Sequence, residues 1–95
     1  MKPTPFGHVL REFRHSRGLT VRQLADMVEK TPGYISRIEV RGEIPSPDLI
    51  CRLAEELQVP ADELIERLTR DVLKRTETEL RARYDEAIVA YRKSR

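Results

Sequence analysis

The chain has 95 residues, of which 36% are charged, and its formal net charge is +2. This length allows one small domain with a short appendage, in which about 60–70% of the unfolded chain's surface can be buried. There is no apolar run long enough to span a membrane and no basic-then-apolar start, so we expect a cytoplasmic protein without membrane contacts. Cys51 is the only cysteine, which excludes an intramolecular disulfide, and its apolar helical surroundings predict a small core residue.

Three short amphipathic helices are predicted within residues 6–39. Their apolar positions recur every three to four residues and are Phe6, Val9, Leu10, Phe13, Val21, Leu24, Ala25, Val28, Ile35 and Ile38. Gly18 ends the first helix, because glycine readily takes the left-handed conformation that follows a helix. Thr20 can cap the second helix, and Thr31 followed by Pro32 is a typical start for the third. The last two helices are joined by one tight turn, as in a helix-turn-helix.

Two further helical segments follow. Ser46 and Pro47 repeat the cap-then-proline start of a fourth helix, whose apolar face is Leu49, Ile50, Leu53, Ala54 and Leu57. Residues 61–94 contain no glycine or proline, with acidic residues at the start and basic residues at the end. This pattern predicts either one long helix or two helices with a soft joint near residues 76–78.

Six segments of the chain occur in a family-typical order. They are LREFR at 10–14, GLT at 18–20, QLA at 23–25, YISRIE at 34–39, GEIPSPDLI at 42–50 and LAEELQV at 53–59. Together they resemble the Cro and phage-repressor type of helix-turn-helix regulator, often called the XRE family. The resemblance implies an all-α, five-helix lambda-repressor-like domain over residues 1–68, with Leu64, Ile65 and Leu68 in its core. A long C-terminal helical extension then covers residues 69–95.

The same resemblance places a recognition helix, residues 31–39, in the major groove of double-stranded DNA. Its base-reading positions are Pro32, Gly33 and Arg37. Arg37 can give two hydrogen bonds to a guanine, whereas Pro32 and Gly33 bring no side-chain donor, so we expect limited direct readout and a contribution from DNA shape. Tyr34 is expected at a phosphate or along the groove wall. The residues expected to hold phosphates, at helix starts or in the loop after the recognition helix, are Thr20, Arg22, Gln23, Thr31 and Arg41.

Charge is segregated along the chain. Residues 1–42 carry eight basic and four acidic side chains, and residues 43–69 carry two basic and seven acidic ones. This division favours a basic face that meets a polyanion and an acidic face turned away from it.

Two places depart from the family pattern. Glu29 and Lys30 stand where the turn usually has a glycine, so either a non-glycine residue takes the left-handed conformation, at about 1 kcal/mol or more, or the turn is remodelled. Residues 39–42 have one residue more than the usual Glu-x-Gly spacing, which predicts a bulged loop after the recognition helix. The resemblance also pairs Arg14 with Glu39 as a structural ion pair between the first and third helices.

The extension carries an apolar stripe of its own. Its members are Leu73, Leu80, Tyr84, Ala87, Ile88 and Tyr91, several of them seven residues apart. We expect this stripe to form a homodimer that sets two recognition helices about 34 Å apart on a near-palindromic site. The alternative is that the extension packs back on its own domain or frays.

The sequence does not favour an enzyme or a cofactor-binding protein. It has no nucleophile with a base and no glycine-rich phosphate loop, and His8 and His15 are about 10 Å apart along one helix, too far to share a metal. The leading hypothesis is a transcriptional regulator, a repressor that occludes a promoter. One alternative is the antitoxin of a toxin–antitoxin pair, with the C-terminal helix bound to the toxin. Another is a bridging factor whose helix-turn-helix contacts protein.

Overall fold

The computed structural model describes residues 4–94, and these residues form five α-helices and no strand. α1 spans Pro5–Ser16, α2 Val21–Met27, α3 Pro32–Arg41, α4 Pro47–Leu57 and α5 Ala61–Lys93. The all-α, five-helix prediction is confirmed. The molecule measures 58 × 25 × 21 Å, because α5 runs well beyond the other four helices.

Local sequence fixes where the first four helices begin. Each has a hydroxyl cap that accepts a hydrogen bond from the backbone N–H three residues later; the caps are Thr4, Thr20, Thr31 and Ser46. Proline is the first helical residue of α1, α3 and α4, where its missing N–H needs no partner. These helix starts follow from residues within one turn of the chain.

One apolar core lies between the helices. Its buried members are Phe6, Leu10, Leu24, Ala25, Val28, Ile35, Ile38, Leu49, Ile50, Leu53, Ala54, Leu57 and Leu64. Two expectations about the core are wrong. Cys51 is exposed, because it follows Ile50 and turns away from the buried face of α4. Ile65 is 39% exposed for the same reason, since Leu64 and Leu68 occupy the packed face of α5.

The turn between α2 and α3 keeps its left-handed residue without a glycine. Glu29 has φ +57°, so the first of the two alternatives for this turn is the one observed. The Glu29 carboxylate also accepts a hydrogen bond of 3.0 Å from the Arg52 guanidinium on α4. The strain of this conformation thus lies at an exposed residue that is bonded to α4.

The expected bulge after the recognition helix is not present. Val40 and Arg41 continue α3, and the helix ends at Gly42, which has φ +74°. The additional residue lengthens the helix, because Gly42 is the first position that takes a left-handed conformation at low cost. Arg41 therefore lies in the last turn of α3 and not in a loop.

α1 and α3 pack with their backbones close together at Gly7. A Cβ at this position would collide with the backbone carbonyls of Ile38 and Glu39. Only glycine allows this approach, and it holds the amino-terminal half of α1 against the last turns of α3.

α5 is a single helix without a joint at residues 76–78. Its buried positions and its polar contacts to the other helices reach as far as Arg75. We call residues 4–75 the body and residues 76–94 the distal tail, in which every side chain is exposed. The domain limits of 1–68 and 69–95 remain a prediction.

Candidate nucleic-acid interface

The exposed face of α3 is a shallow basic surface. Gly33, Ser36, Arg37, Val40 and Arg41 line a depression along this face. The opposite face is fixed in the core, since Ile35, Ile38 and Glu39 are buried. One face of α3 is thus packed in the core, and the other face is open to solvent.

The amino-terminal end of α3 is flat. Thr31, Pro32 and Gly33 are all exposed, and the Thr31 hydroxyl is engaged in capping the helix through the Tyr34 N–H at 3.2 Å. At Gly33, an added Cβ would meet only Arg37 Nη1, at 3.5 Å. The first turn therefore offers close approach to a ligand and no side-chain donor from Pro32 or Gly33.

Arg37 is held in place by its neighbours. Its Nε donates to Glu43 Oε1 over 3.0 Å, and its guanidinium carbon is 5.7 Å from the centre of the Tyr34 ring. The Glu43 backbone N–H also donates to the carbonyl oxygen of Arg37 at 3.2 Å. Because Glu43 accepts from Nε, the terminal nitrogens of this half-exposed guanidinium remain as donors for a ligand.

Tyr34 has a packing role that sequence reasoning did not assign. Its ring is partly buried against the core, and its hydroxyl oxygen accepts a hydrogen bond from the Ser46 N–H at 3.2 Å. Tyr34 therefore connects α3 to the start of α4. Its contact with DNA stays a prediction.

Three polar residues lie together at the start of α2, as their positions in the sequence require. Thr20 and Gln23 form a reciprocal capping box, with hydrogen bonds of 2.8 and 3.0 Å between side chain and backbone. The Gln23 carbonyl oxygen is used in this box, which leaves its NH₂ group as a donor. Arg22 is exposed beside it, as is Arg41 at the far end of α3.

Arg14 and Glu39 form a buried ion pair between α1 and α3. Arg14 Nε and Nη2 donate to the two Glu39 oxygens at 2.8 and 3.0 Å, and Nη1 donates to the Leu19 carbonyl at 2.8 Å. Their side chains are 7% and 2% exposed. The hydrogen bond to Glu39 raises the pKa of Arg14 above its ordinary value, although burial opposes this effect.

Sequence reasoning missed two residues of α5 that contact the helix ends beneath this surface. Asp71, 5% exposed, accepts a hydrogen bond from the Phe6 N–H at 3.1 Å, and Arg75 donates to the Gly42 carbonyl at 2.8 Å. The sequence contains a signal for these two residues. Positions 64, 68, 71 and 75 repeat at helical spacing, so they share the face of α5 that carries the buried Leu64. The signal was missed because polar residues at such positions look like ordinary surface charges.

The apolar stripe of α5 faces solvent. Leu73, Leu80, Tyr84, Ile88 and Tyr91 are between 46% and 64% exposed, and Ala87 is exposed between them. At about 100° per residue, the stripe lies on the side of α5 opposite Leu64 and Asp71. The face that packs on the body is therefore not the face that carries the stripe.

Two features of residues 4–94 concern metal ions and membranes. In this part of the chain no three His, Cys, Asp or Glu side chains are grouped to hold a metal ion. Within the same range, no helix has the length and apolar character needed to cross a membrane.

The fold and this surface together define a helix-turn-helix protein. The chain belongs to the helix-turn-helix family HTH_3, whose family model matches residues 10–64. The resemblance to Cro and phage-repressor regulators is thereby confirmed.

Three relatives are informative. RghR, an HTH-type transcriptional repressor of Bacillus subtilis strain 168, is 45% identical over 62 residues, which are 63% of this chain and 45% of RghR. The clp gene regulator ClgR from Corynebacterium glutamicum has a similar structure, with a TM-score of 0.62 and 26% identity over 85% of this chain and 86% of that one. PlcR of Bacillus thuringiensis, in complex with the peptide PapR7 and DNA, has a TM-score of 0.64 and 29% identity, covering 79% of this chain and 26% of PlcR. The chain spans just under half the length of the curated relatives that it matches.

Proposed function

We propose that this chain is a non-catalytic transcriptional regulator that binds double-stranded DNA with sequence preference and inserts α3 into the major groove. The observation that carries the proposal is the exposed face of α3, where Arg37 and Arg41 border a shallow depression while Ile35 and Ile38 are buried. A helix supported from behind and basic in front suits the major groove, which is about 12 Å wide. The comparisons support the same function, because RghR and ClgR are named as regulators and the PlcR structure contains DNA.

Phosphate contacts would set the register of α3. Arg22 and the Gln23 amide at the start of α2, and Arg41 at the end of α3, are exposed donors. Thr20 and Thr31 hold the helix starts in shape through their caps, and so fix the backbone N–H groups that can meet phosphate oxygens.

Base reading would rest mainly on Arg37. With its Nε edge held by Glu43, the guanidinium presents its terminal nitrogens, which can bond O6 and N7 of a guanine together. Pro32 and Gly33 would allow α3 to approach closely and to contact a thymine methyl group. DNA shape would supply part of the remaining specificity.

We also propose that the chain forms a homodimer, and that the two copies meet through the apolar stripe of α5. The stripe does not pack against its own body, because α5 contacts the body with its opposite face, which carries Leu64 and Asp71. Steps of seven residues, such as Leu73 to Leu80 and Tyr84 to Tyr91, suit a helix that packs along a second helix. Two copies related by a two-fold axis would read a near-palindromic operator, and occupation of a promoter by this dimer would repress transcription.

The DNA-binding proposal is tested by selecting bound duplexes from a random-sequence library and then footprinting the selected site. We expect Arg37→Ala to abolish a guanine preference and to weaken binding to the selected site about tenfold or more, in line with about 1–3 kcal/mol for a bidentate base contact. Arg70→Ala, which removes an exposed arginine of α5, is the matched control and should change binding by less than about twofold. Unchanged affinity and salt dependence for Arg37→Ala would refute the groove-binding proposal.

The homodimer is tested by the molar mass of the full-length chain in solution. We expect the double substitution Leu80→Glu with Ile88→Glu to convert a dimer into a monomer, because it places charges in the apolar stripe. Val89→Glu is the control, since Val89 is equally exposed but lies on the opposite side of α5. A chain that is monomeric without substitution contradicts the homodimer and leaves the stripe to a different protein, such as a toxin.

A further inference from the structure

We infer that Asp71 and Arg75 are positioning residues that fix the direction in which α5 leaves the body, and through it the spacing between the two half-sites that a dimer reads. This inference rests on the proposed homodimer. It concerns residues that have no part in the apolar stripe and none in the exposed face of α3.

The first contact joins α5 to the start of α1. Asp71 Oδ2 accepts a hydrogen bond of 3.1 Å from the Phe6 N–H, although the two residues are 65 positions apart. The Asp71 side chain is only 2% exposed. A buried carboxylate placed on a free N–H at a helix start is a specific directional contact, because both the charge and the N–H would be costly to bury without partners.

The second contact joins α5 to the end of α3. Arg75 Nη1 donates to the Gly42 carbonyl at 2.8 Å, and Arg75 Nε lies 3.3 Å from Asp71 Oδ1 without the alignment of a hydrogen bond. A Cβ at Gly42 would be 2.5 Å from Thr4 Cγ2 and 2.8 Å from Arg75 Nη1, so a side chain here would displace both of these groups. The end of the proposed recognition helix, the start of α1 and α5 thus meet in one packed junction.

The part of α5 beyond this junction is long, so a small change in its direction moves its far end by a large distance. From Arg75 to Lys93, α5 runs about 27 Å at about 1.5 Å per residue. A change of about 10° in its direction would move its far end by about 5 Å, which exceeds a base-pair step of about 3.4 Å. The stability of the body does not require the direction of α5 to be fixed so closely. A dimer requires it, because it must place two recognition helices on one face of DNA.

The test uses the full-length chain and duplexes that carry two copies of the selected half-site at different spacings, together with a duplex that carries one copy. We expect the unaltered protein to prefer one spacing by about tenfold over spacings that differ by two base pairs. In Arg75→Gln this preference should fall to about threefold or less, while the dimer mass and the affinity for the single half-site stay unchanged. Lys74→Gln removes a neighbouring exposed charge and should keep the full preference.

Asp71→Asn is the second variant, in case Arg75→Gln does not fold. A folded variant of either kind that keeps the full spacing preference overturns the inference. So does a loss of affinity for the single half-site that equals the loss for the paired sites, because the two residues would then act on the body alone. A monomeric unaltered protein, or one that binds single and paired sites equally well, contradicts the homodimer itself.

Discussion

The body and the distal tail are both helical, but they are stabilised by different means. In the body, apolar side chains such as Leu10, Leu24 and Leu53 are fully buried, and the polar residues Arg14 and Glu39 are buried as a pair. In the distal tail, residues 76–94 are all exposed. In proteins, most helical stability comes from the tertiary packing of an apolar face, and the exposed side chains of the tail do not supply such packing. The body therefore contains the whole buried apolar core, whereas the apolar stripe of the tail would be covered only by the proposed second copy.

The largest expected effect concerns the buried ion pair, a feature of the body that the described part of the tail lacks. Glu39→Ala should lower the free energy of unfolding by about 3–5 kcal/mol, because it leaves Arg14 charged and buried without its partner. Chemical denaturation monitored by circular dichroism measures this loss. Glu43→Ala is the matched control and should cost less than about 1 kcal/mol, since its pair with Arg37 is exposed. Equal losses for the two variants would show that the Arg14–Glu39 pair does not contribute as a buried pair.

A second pair of variants compares leucines of the two regions directly. Leu53→Ala should destabilise the body by about 2–5 kcal/mol at any protein concentration, because it opens a cavity in the core. Leu80→Ala should have little effect at low concentration and should weaken the rise of the melting temperature with concentration that a dimer gives. Thermal melts at two concentrations measure both effects. If Leu80→Ala is as destabilising as Leu53→Ala in dilute protein, the tail packs on its own body.

Two glycines of the body differ in the space around them: Gly7 lies at the close contact of α1 with α3, and Gly33 lies on the exposed face of α3. Gly7→Ala should cost about 1–3 kcal/mol or more, because the added Cβ collides with the backbone of α3. Gly33→Ala adds the same methyl group to an exposed helical position with room for it, and should leave stability unchanged or raise it by up to about 1 kcal/mol. Denaturant midpoints for the two variants provide the measurement. A tolerated Gly7→Ala would mean that α1 and α3 can separate without loss.

The smallest expected effect compares two exposed acidic residues, one beside α3 and one in the tail. Glu43→Gln should raise the affinity for random-sequence duplexes by about two- to fivefold at low salt, because it removes a negative charge next to Arg37. Glu79→Gln makes the same charge change in the tail and should shift this affinity by less than about twofold. Fluorescence anisotropy at a fixed ionic strength distinguishes the two. An equal effect of both variants would mean that DNA responds only to the net charge of the chain.

The fold was largely predictable from the sequence, whereas the site was predictable only in outline. Hydroxyl caps followed by proline located the helix starts, and the apolar spacing identified the core faces. The errors at Cys51 and Ile65 came from residues next to the apolar face, where one position of rotation separates burial from exposure. The expected bulge before Gly42 failed because a family spacing was applied to a helix that can simply become longer.

The roles of individual polar residues were the least predictable feature. The DNA contact of Tyr34 stays a prediction, but helical periodicity gave no sign that its hydroxyl accepts the Ser46 N–H. Arg37 was considered alone, yet it pairs with Glu43. In both cases the partner lies beyond the next turn of the helix, where sequence periodicity gives no information about which polar groups will meet.

The helix-turn-helix family, the order of the five helices and the apolar stripe of α5 follow from local signals, because caps, glycines and helical periodicity act within a few residues. The contacts of Asp71 with the Phe6 N–H and of Arg75 with the Gly42 carbonyl arise from the packing of the helices. These contacts join residues 65 and 33 positions apart, so they depend on how whole helices pack. Buried charges and the unpaired backbone groups at helix ends need hydrogen-bond partners. In this chain those partners come within reach only when the helices have packed together.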